Sequence, residues 1–181
     1  MHTPPVRHSS PLERPNERDA MFGAVLRVLC VASLVSGASA SSGSERQKLT
    51  ASDGASSDAF GSSVSVSGDY AVVGAVGDDS LTGSAYIFVR SGTTWTQQQK
   101  LTASDRASND WFGWSVSISG DTAVVGAHYN DDGGSNSGSA YIFVRSGTTW
   151  TQQQKLTASD AAENDEFGVR VSISGGTAVV G

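Results

Sequence analysis

The stretch that decides the fold occurs twice in the chain. Residues 83–105 read GSAYIFVRSGTTWTQQQKLTASD, and residues 138–160 repeat all 23 letters without a change. The phrase KLTASD occurs a third time, beginning at Lys48, and its three copies stand 52 and then 55 residues apart. A Phe-Gly pair recurs at the same two intervals. Self-similarity at a period of about 50 residues predicts a repeat architecture.

Each repeat contains four short segments of β type. Residues 63–67 alternate serine with valine, which is typical of a strand with two different faces. Residues 70–74 and 84–90 are rich in β-branched and aromatic side chains, and residues 95–102 are polar enough for an outer edge strand. Four strands in about 50 residues indicate a β-propeller blade, which needs neighbouring blades to cover its faces. A duplicated meander or sandwich is the alternative.

The repeats resemble a known family, the FG-GAP repeat, which builds the propeller of integrin α-subunits. The residues that carry the resemblance are Phe60-Gly61, Val73-Gly74-Ala75 and residues 83–88, then Phe112-Gly113, Val125-Gly126-Ala127 and residues 138–143, and finally Phe167-Gly168. The resemblance implies an all-β fold of four-stranded antiparallel blades, which we expect at about 60–104 and 112–159, with part of a third at 167–181. Because the family's ring has about seven blades, we expect an incomplete ring: a fragment, or several chains that associate.

Residues 1–40 differ from the repeats. All four prolines lie within residues 1–15, and Met21 is a candidate start of translation. Residues 21–40 combine Arg27, an apolar run at 28–35 and the small residues Ala38 and Ala40, which is the order of a secretory signal. We therefore predict an N-terminal extension and signal peptide at 1–40 (signal 21–40), repeats at 41–181, and a secreted or cell-surface protein. A short membrane anchor or a buried helix is the alternative for the apolar run.

Charge and residue types exclude several function classes. The net charge of −6 argues against nucleic acid as a partner, because phosphate binding needs a basic surface. His128 is the only histidine after residue 40, so a zinc site built from several histidines is excluded. No serine stands in a nucleophile-elbow phrase. These observations predict a protein that is not an enzyme.

In a propeller, the loop between the second and third strands and the link to the next blade share one face, and here both are acidic. Loops on a rigid scaffold are where binding residues concentrate. The candidate ligand-binding residues are Asp78, Asp79, Trp111, Trp114, Asn130, Asp131 and Asp132. Trp111 and Trp114 occur only in the second repeat and suit stacking on sugars or anchoring a protein. Local packing for the tryptophans, and turn formation for the acidic residues, are the alternatives.

Calcium is the one cofactor that the sequence leaves open. The resemblance implies a calcium loop between the first and second strands, but the turns there hold at most one aspartate each. Calcium needs six to eight oxygens. We therefore expect its ligands, if any, among Asp78, Asp79, Asp131 and Asp132 on the acidic loops.

Two functions fit the sequence. The first is an extracellular adhesion or recognition module that binds a protein or glycan ligand through its acidic loops. The second is a structural surface repeat without a specific ligand. In either case we expect the open blade faces to contact further blades, from additional sequence or from self-association.

Overall fold

The computed structural model describes residues 27–28 and 45–181. Its strands are β1 (Arg27–Val28), β2 (Gln47–Lys48), β3 (Phe60–Ser67), β4 (Tyr70–Ala75), β5 (Ser84–Ser91), β6 (Thr94–Leu101), β7 (Ser115–Ser119), β8 (Thr122–Ala127), β9 (Ser139–Ser146), β10 (Thr149–Leu156), β11 (Val171–Ser174) and β12 (Thr177–Val180). Apart from Arg27–Val28, the predicted extension and signal peptide lie outside the described residues.

The strands form separate antiparallel sheets. The first blade is β3-β4-β5-β6 and the second blade is β7-β8-β9-β10, each paired in chain order. The third sheet consists of β11 and β12, and β1 pairs with β2. The sheets do not close into a ring. The prediction of four-stranded propeller blades in an incomplete ring is therefore confirmed.

One short segment, α1 (Asp78–Leu81), is assigned as helix within the loop that follows β4. Asp79, Ser80 and Leu81 have φ of 49°, 63° and 66°, so the segment is a single left-handed turn. Such a conformation costs an L-residue roughly 1–2 kcal/mol. No helix in the described residues is long and apolar enough to cross a membrane.

The main hydrophobic core lies between the blades rather than within one sheet. Val72 and Ile87 of the first blade share a buried cluster with Val116, Ile118 and Phe143 of the second. Each such side chain contributes about 1.5–3 kcal/mol when it is fully buried. A single blade would expose this surface, so the blades stabilise each other.

Serines of the innermost strands join successive blades by hydrogen bonds. Ser65 Oγ accepts the N–H of Ile118 at 3.2 Å, and Ser117 Oγ accepts the N–H of Ile173 at 3.0 Å. Alternation along each strand points the serines at the next blade and the valines at the preceding one. The Ser-x-Ser pattern therefore fixes the stacking of blades as well as the strand itself.

Glutamines of the outermost strands also join neighbouring blades by hydrogen bonds, at the outer edge of the stack. Gln99 donates to the carbonyl of Trp150 at 2.7 Å and accepts its N–H at 2.8 Å. Gln47 makes the same two bonds with Trp95. Both tryptophans are buried. The polar fourth strand is thus an edge strand, as expected, and its glutamines bind the neighbouring blade.

Candidate functional site

The acidic face consists of the loops 76–83 and 128–138 and of three links. The links are residues 52–59, 102–114 and 157–170, which lead into the first blade, the second blade and the third sheet. Trp111 and Phe112 in the link donate their N–H groups to the carbonyls of Leu81 and Thr82 at 3.1 and 3.0 Å. Gly77 donates its N–H to Asp58 O at 3.0 Å. The structure therefore places the loop of the first blade beside the links on both of its sides.

A recurring aspartate shapes each link. Asp58, Asp110 and Asp165 each accept the N–H of the residue three positions earlier, at 2.6, 2.9 and 2.7 Å. Burial raises the pKa of the Asp110 carboxyl. These carboxylates hold turns, as aspartate commonly does in loops.

The first lysine centre is the group Lys100, Asp53 and Asp78. Lys100 Nζ lies 2.7 Å from Asp53 Oδ2 and 2.5 Å from Asp78 Oδ2. The Asp78 side chain is buried and also accepts a hydrogen bond from Ser84. The ammonium lies 5.5 Å from the ring centroid of Tyr86. The Lys100 ammonium therefore offsets part of the negative charge of one link carboxylate and one loop carboxylate.

The second lysine centre repeats this arrangement with Lys155, Asp105, Asn130 and Asp132. Lys155 Nζ lies 2.5 Å from Asp105 Oδ2 and 3.0 Å from Asn130 Oδ1, and it also pairs with Asp132. Lys100 and Lys155 occupy the same position in the KLTASD phrase. The sequence alone did not single out either lysine.

The centres shift the pKa values of their members. The hydrogen bond from Lys100 lowers the pKa of Asp53. Burial by itself lowers the pKa of Lys100, but its bonds to Asp53 and Asp78 outweigh that effect and raise it. In the second centre, the carboxylates of Asp105 and Asp132 likewise outweigh burial and raise the pKa of Lys155. Both lysines are therefore charged at neutral pH.

The predicted calcium ligands divide between the two loops. Asp78 belongs to the first lysine centre and Asp132 to the second. Asp79 pairs with Arg106 at 3.0 Å, and Asp131 accepts the N–H of Asn136 at 2.8 Å. In the part of the chain that the structure describes, no group of three or more His, Cys, Asp or Glu side chains is placed to hold a metal ion. Calcium binding stays a prediction.

The aromatic cluster consists of Trp111, Trp114, His128 and Tyr129. Ring centroids are 5.4 Å apart for the two tryptophans, 5.0 Å for Trp111 and Tyr129, and 4.6 Å for Trp114 and His128. His128 is buried beneath the other three, which are half-buried. Burial lowers the pKa of His128, so its ring is neutral at neutral pH. His128 and Tyr129 were not among the predicted binding residues.

The aromatic cluster of the second blade has no counterpart in the first blade. The equivalent residues of the first repeat are Ala59, Ser62, Val76 and Gly77. Trp114 also lines a cavity of about 420 Å³ where the innermost strands of successive blades begin. The other residues around this cavity are Ser62, Ser63, Val64, Ser115, Val116, Arg170 and Val171. The cluster and cavity together place aromatic rings, hydroxyl groups and one guanidinium near the acidic face.

A protein-family model for the FG-GAP repeat matches residues 44–88, 95–143 and 150–181. The chain belongs to the FG-GAP repeat family. No curated protein matched the chain in a separate comparison. The resemblance inferred from the sequence is therefore confirmed across nearly all the described residues.

The residues that give the FG-GAP repeat its name form the contact between blades. Gly113 of the second Phe-Gly pair has φ of 91° and packs against Gly74 of the first blade. A Cβ atom on Gly74 would lie 2.0 Å from the Gly113 carbonyl oxygen. Phe112 is fully buried, and its ring contacts Tyr141 and Phe143. In this FG-GAP protein, the family motif packs the blades together.

Proposed function

We propose that the chain is a non-enzymatic recognition module of a secreted or cell-surface protein, which binds a protein or glycan ligand through its acidic face. FG-GAP repeats are found in adhesion and ligand-binding modules of the integrin α type and are typical of extracellular proteins. Family membership supports the class of function. The binding surface depends on this chain's own residues.

The observation that carries the proposal is the aromatic cluster. Four aromatic residues stand where the first repeat has four unrelated residues, and they contact one another. A blade does not need them to fold, since the first blade forms the same sheet without them. Half-buried tryptophan and tyrosine supply a large rigid contact area at low entropic cost. We assign the contact with the ligand to Trp111, Trp114 and Tyr129.

The test replaces the cluster by the residues that the first repeat carries at the same positions. Trp111→Ala and Trp114→Ser convert the second blade to the pattern of Ala59 and Ser62. Ala59 has φ of 53° and Trp111 has φ of 56°, so the first variant imposes no new backbone strain. We expect both variants to keep the β-sheet circular dichroism of the parent chain.

Binding is then measured on a glycan array and on an array of extracellular proteins. We expect the parent chain to bind a defined ligand and the double variant to lose about tenfold or more of that affinity. Thr93→Ala, on an exposed turn outside the acidic face, is the matched control and should bind like the parent. Equal binding by the double variant would contradict the proposal.

The second candidate function is a structural repeat without a ligand, and the lysine centres favour it. Asp78, Asn130 and Asp132 are all engaged within the chain, so they offer less to a partner than the sequence suggested. Absence of any binding partner on both arrays would favour this candidate.

Calcium binding is a separate part of the proposal. A calcium ion at the loop of Asp131 and Asp132 would compete with the Lys155 ammonium for Asp132. We expect Lys155→Met to strengthen calcium binding, because it removes the competing cation. Calorimetric titration with millimolar calcium tests this, and the absence of heat with both forms would contradict it.

Secretion can be tested without a ligand. The secretory signal predicts a mature protein that begins near Ser41. N-terminal sequencing of the secreted chain should find that terminus. A mature chain that retains residues 21–40 would contradict the signal.

A further inference from the structure

The aromatic cluster is built around a buried imidazole. His128 is 2% exposed, and its Nδ1 atom is buried and has no hydrogen-bond partner among the described residues. The centroid of its ring lies 4.0 Å from that of Tyr129, 4.6 Å from that of Trp114 and 5.8 Å from that of Trp111. A titratable ring therefore stands beneath the three rings that face the ligand in the proposed function.

A neutral imidazole suits this environment, and a protonated one does not. Protonation places a hydrogen on both ring nitrogens and a full charge on the ring. A buried charged group without a hydrogen-bond partner is costly, whereas the neutral ring packs like the other aromatic rings. The cost falls on the closed cluster alone, because water solvates the imidazolium once the ring is exposed.

The nearby charged groups do not remove this cost. In the link 157–170, Glu166 favours the charged form of His128 and Arg170 opposes it. Burial has a larger effect than either group and lowers the pKa of His128. The ring is therefore neutral at neutral pH and takes up a proton only in acid.

The carboxyl groups on the other two elements that carry the cluster have partners of their own. Asp110 holds the turn of its link and also accepts a hydrogen bond from Asn130. Asp131 accepts a backbone N–H of its own loop, and Asp105 and Asp132 belong to the second lysine centre. Burial raises the pKa of Asp110, so this carboxyl is the one whose titration needs a control.

The cluster can open without breaking a sheet. Trp111 and Trp114 lie in the link before β7, and His128 and Tyr129 follow the last residue of β8. His128 and Tyr129 are the central residues of a turn that a hydrogen bond from the N–H of Asn130 closes. Loops and turns open locally at a lower free energy than the strands of a sheet. Exposure of the His128 ring therefore separates the cluster and leaves the blades folded.

We propose that His128 is an acid-sensitive switch of the aromatic cluster: the neutral ring holds the cluster together, and the protonated ring opens it. The consequence for recognition rests on the proposed function, which assigns the ligand contact to Trp111, Trp114 and Tyr129. Under that assignment acid releases the ligand, and His128 is a positioning residue that acts through these rings. The opening itself needs no ligand.

Acrylamide quenching of tryptophan fluorescence between pH 8 and pH 4.5 tests the switch on the chain alone. The chain has four tryptophans, and the Trp111→Ala, Trp114→Ser double variant supplies the signal of Trp95 and Trp150 for subtraction. We expect the quenching constant of Trp111 and Trp114 to rise as the pH falls, with a midpoint below pH 6.5, because burial lowers the pKa of His128. The β-sheet circular dichroism should not change over this range.

Substitutions at His128 and Asp110 identify the titrating group. His128→Phe keeps an aromatic ring and His128→Gln keeps a polar side chain, but neither takes up a proton in this range. Both should keep the low quenching constant at every pH, whereas Asp110→Asn should respond like the parent. In a His2→Gln, His8→Gln chain the remaining imidazole NMR signal belongs to His128. Its titration midpoint should coincide with that of the quenching.

Unchanged quenching in the parent chain over this range would overturn the proposal. So would an equal rise in a folded His128 variant, a loss of the response in Asp110→Asn, or an NMR midpoint that differs from the quenching midpoint. For a ligand found on the arrays, the apparent affinity one pH unit below the midpoint should be about tenfold weaker than at neutral pH, since about one molecule in ten keeps the cluster closed. A ligand whose affinity stays constant while the rings separate would contradict the assigned ligand contact and not the switch.

Discussion

The lysine centres show how single residues hold the acidic face together. Lys100 lies near the end of β6. Its partner Asp53 lies in the link before the first blade, and its partner Asp78 lies in the loop after β4. Asp78 is only 5% exposed, and its carboxylate contacts the Lys100 ammonium. Removing one partner of such a pair leaves an uncompensated buried charge, which is costly.

We predict that Lys100→Met lowers the free energy of unfolding by about 2 kcal/mol, a value reduced because a quarter of the lysine side chain is exposed. Lys48→Met is the matched control, because Lys48 is the exposed lysine of the first KLTASD phrase. Urea denaturation measures both. Equal effects of the two substitutions would show that the first lysine centre does not stabilise the fold.

Alkaline pH should weaken the same centres. The pKa of Lys100 and that of Lys155 are raised above their ordinary value of 10.5, and burial raises the pKa of Tyr86 and Tyr141 above 10.0. Groups with a raised pKa add stability that is complete below the unfolded value and is lost as the pH rises through the folded one.

We therefore predict a stability that falls more steeply above about pH 10.5 in the parent chain than in Lys100→Met. Thermal unfolding at pH 9, 10 and 11 measures the difference. Parallel curves for the two proteins would contradict this linkage.

The contacts between side chains on the acidic face were the feature that the sequence predicted least well. Asp78 and Asp132 were recognisable as acidic loop residues, but their lysine partners come from strands about 20 residues later. Side chains that meet from separate strands have no characteristic spacing in the sequence, so the sequence does not predict their contacts. His128 and Tyr129 were missed for the same reason, because they lie far along the sequence from Trp111 and Trp114. The first repeat has Val76 and Gly77 at these two positions, and that difference could have identified them as candidates.

At the scale of the strands, the contact between Gly74 and Gly113 sets the distance between blades. The carbonyl oxygen of Gly113 occupies the position that a side chain at residue 74 would need. Gly126 and Gly168 form the same contact between the second blade and the third sheet. Small residues are therefore required where β4 and β8 pass the following Phe-Gly pair.

We predict that Gly74→Ala lowers the free energy of unfolding by about 3 kcal/mol, because its Cβ atom would lie 2.0 Å from Gly113 O and 2.3 Å from Ser63 Oγ. Gly176→Ala is the control, since its Cβ atom would meet nothing within 4 Å. Chemical denaturation compares them. A Gly74→Ala protein as stable as the control would contradict the close approach of the blades.

Strand order and type were the most predictable features. The exact 23-residue repeat and the alternation in residues 63–67 predicted β3 to β6. The bounds of β4, β5 and β6 lie within one residue of the expected segments, whereas β3 begins three residues earlier than expected, at Phe60. The glutamines of β6 were less predictable. A polar strand indicates an edge, but only the stacked blades show that Gln99 binds the backbone of Trp150.

At the scale of the whole molecule, the blades depend on their neighbours to different degrees. The second blade is covered on one side by the first blade and on the other by the third sheet, while the open side of the first blade exposes Val64 and Val66. In repeat proteins, stability is approximately the sum of each unit and its interfaces. We therefore expect the greatest local stability in the second blade.

The most direct test compares two equivalent amides in one molecule by hydrogen exchange and NMR. The Ile118 N–H is bound by Ser65 of the preceding blade, and the Val66 N–H occupies the same position in the first blade, which no described blade precedes. Packing of blades face to face predicts exchange at Ile118 at least about tenfold slower than at Val66. Equal exchange at the two amides would contradict it.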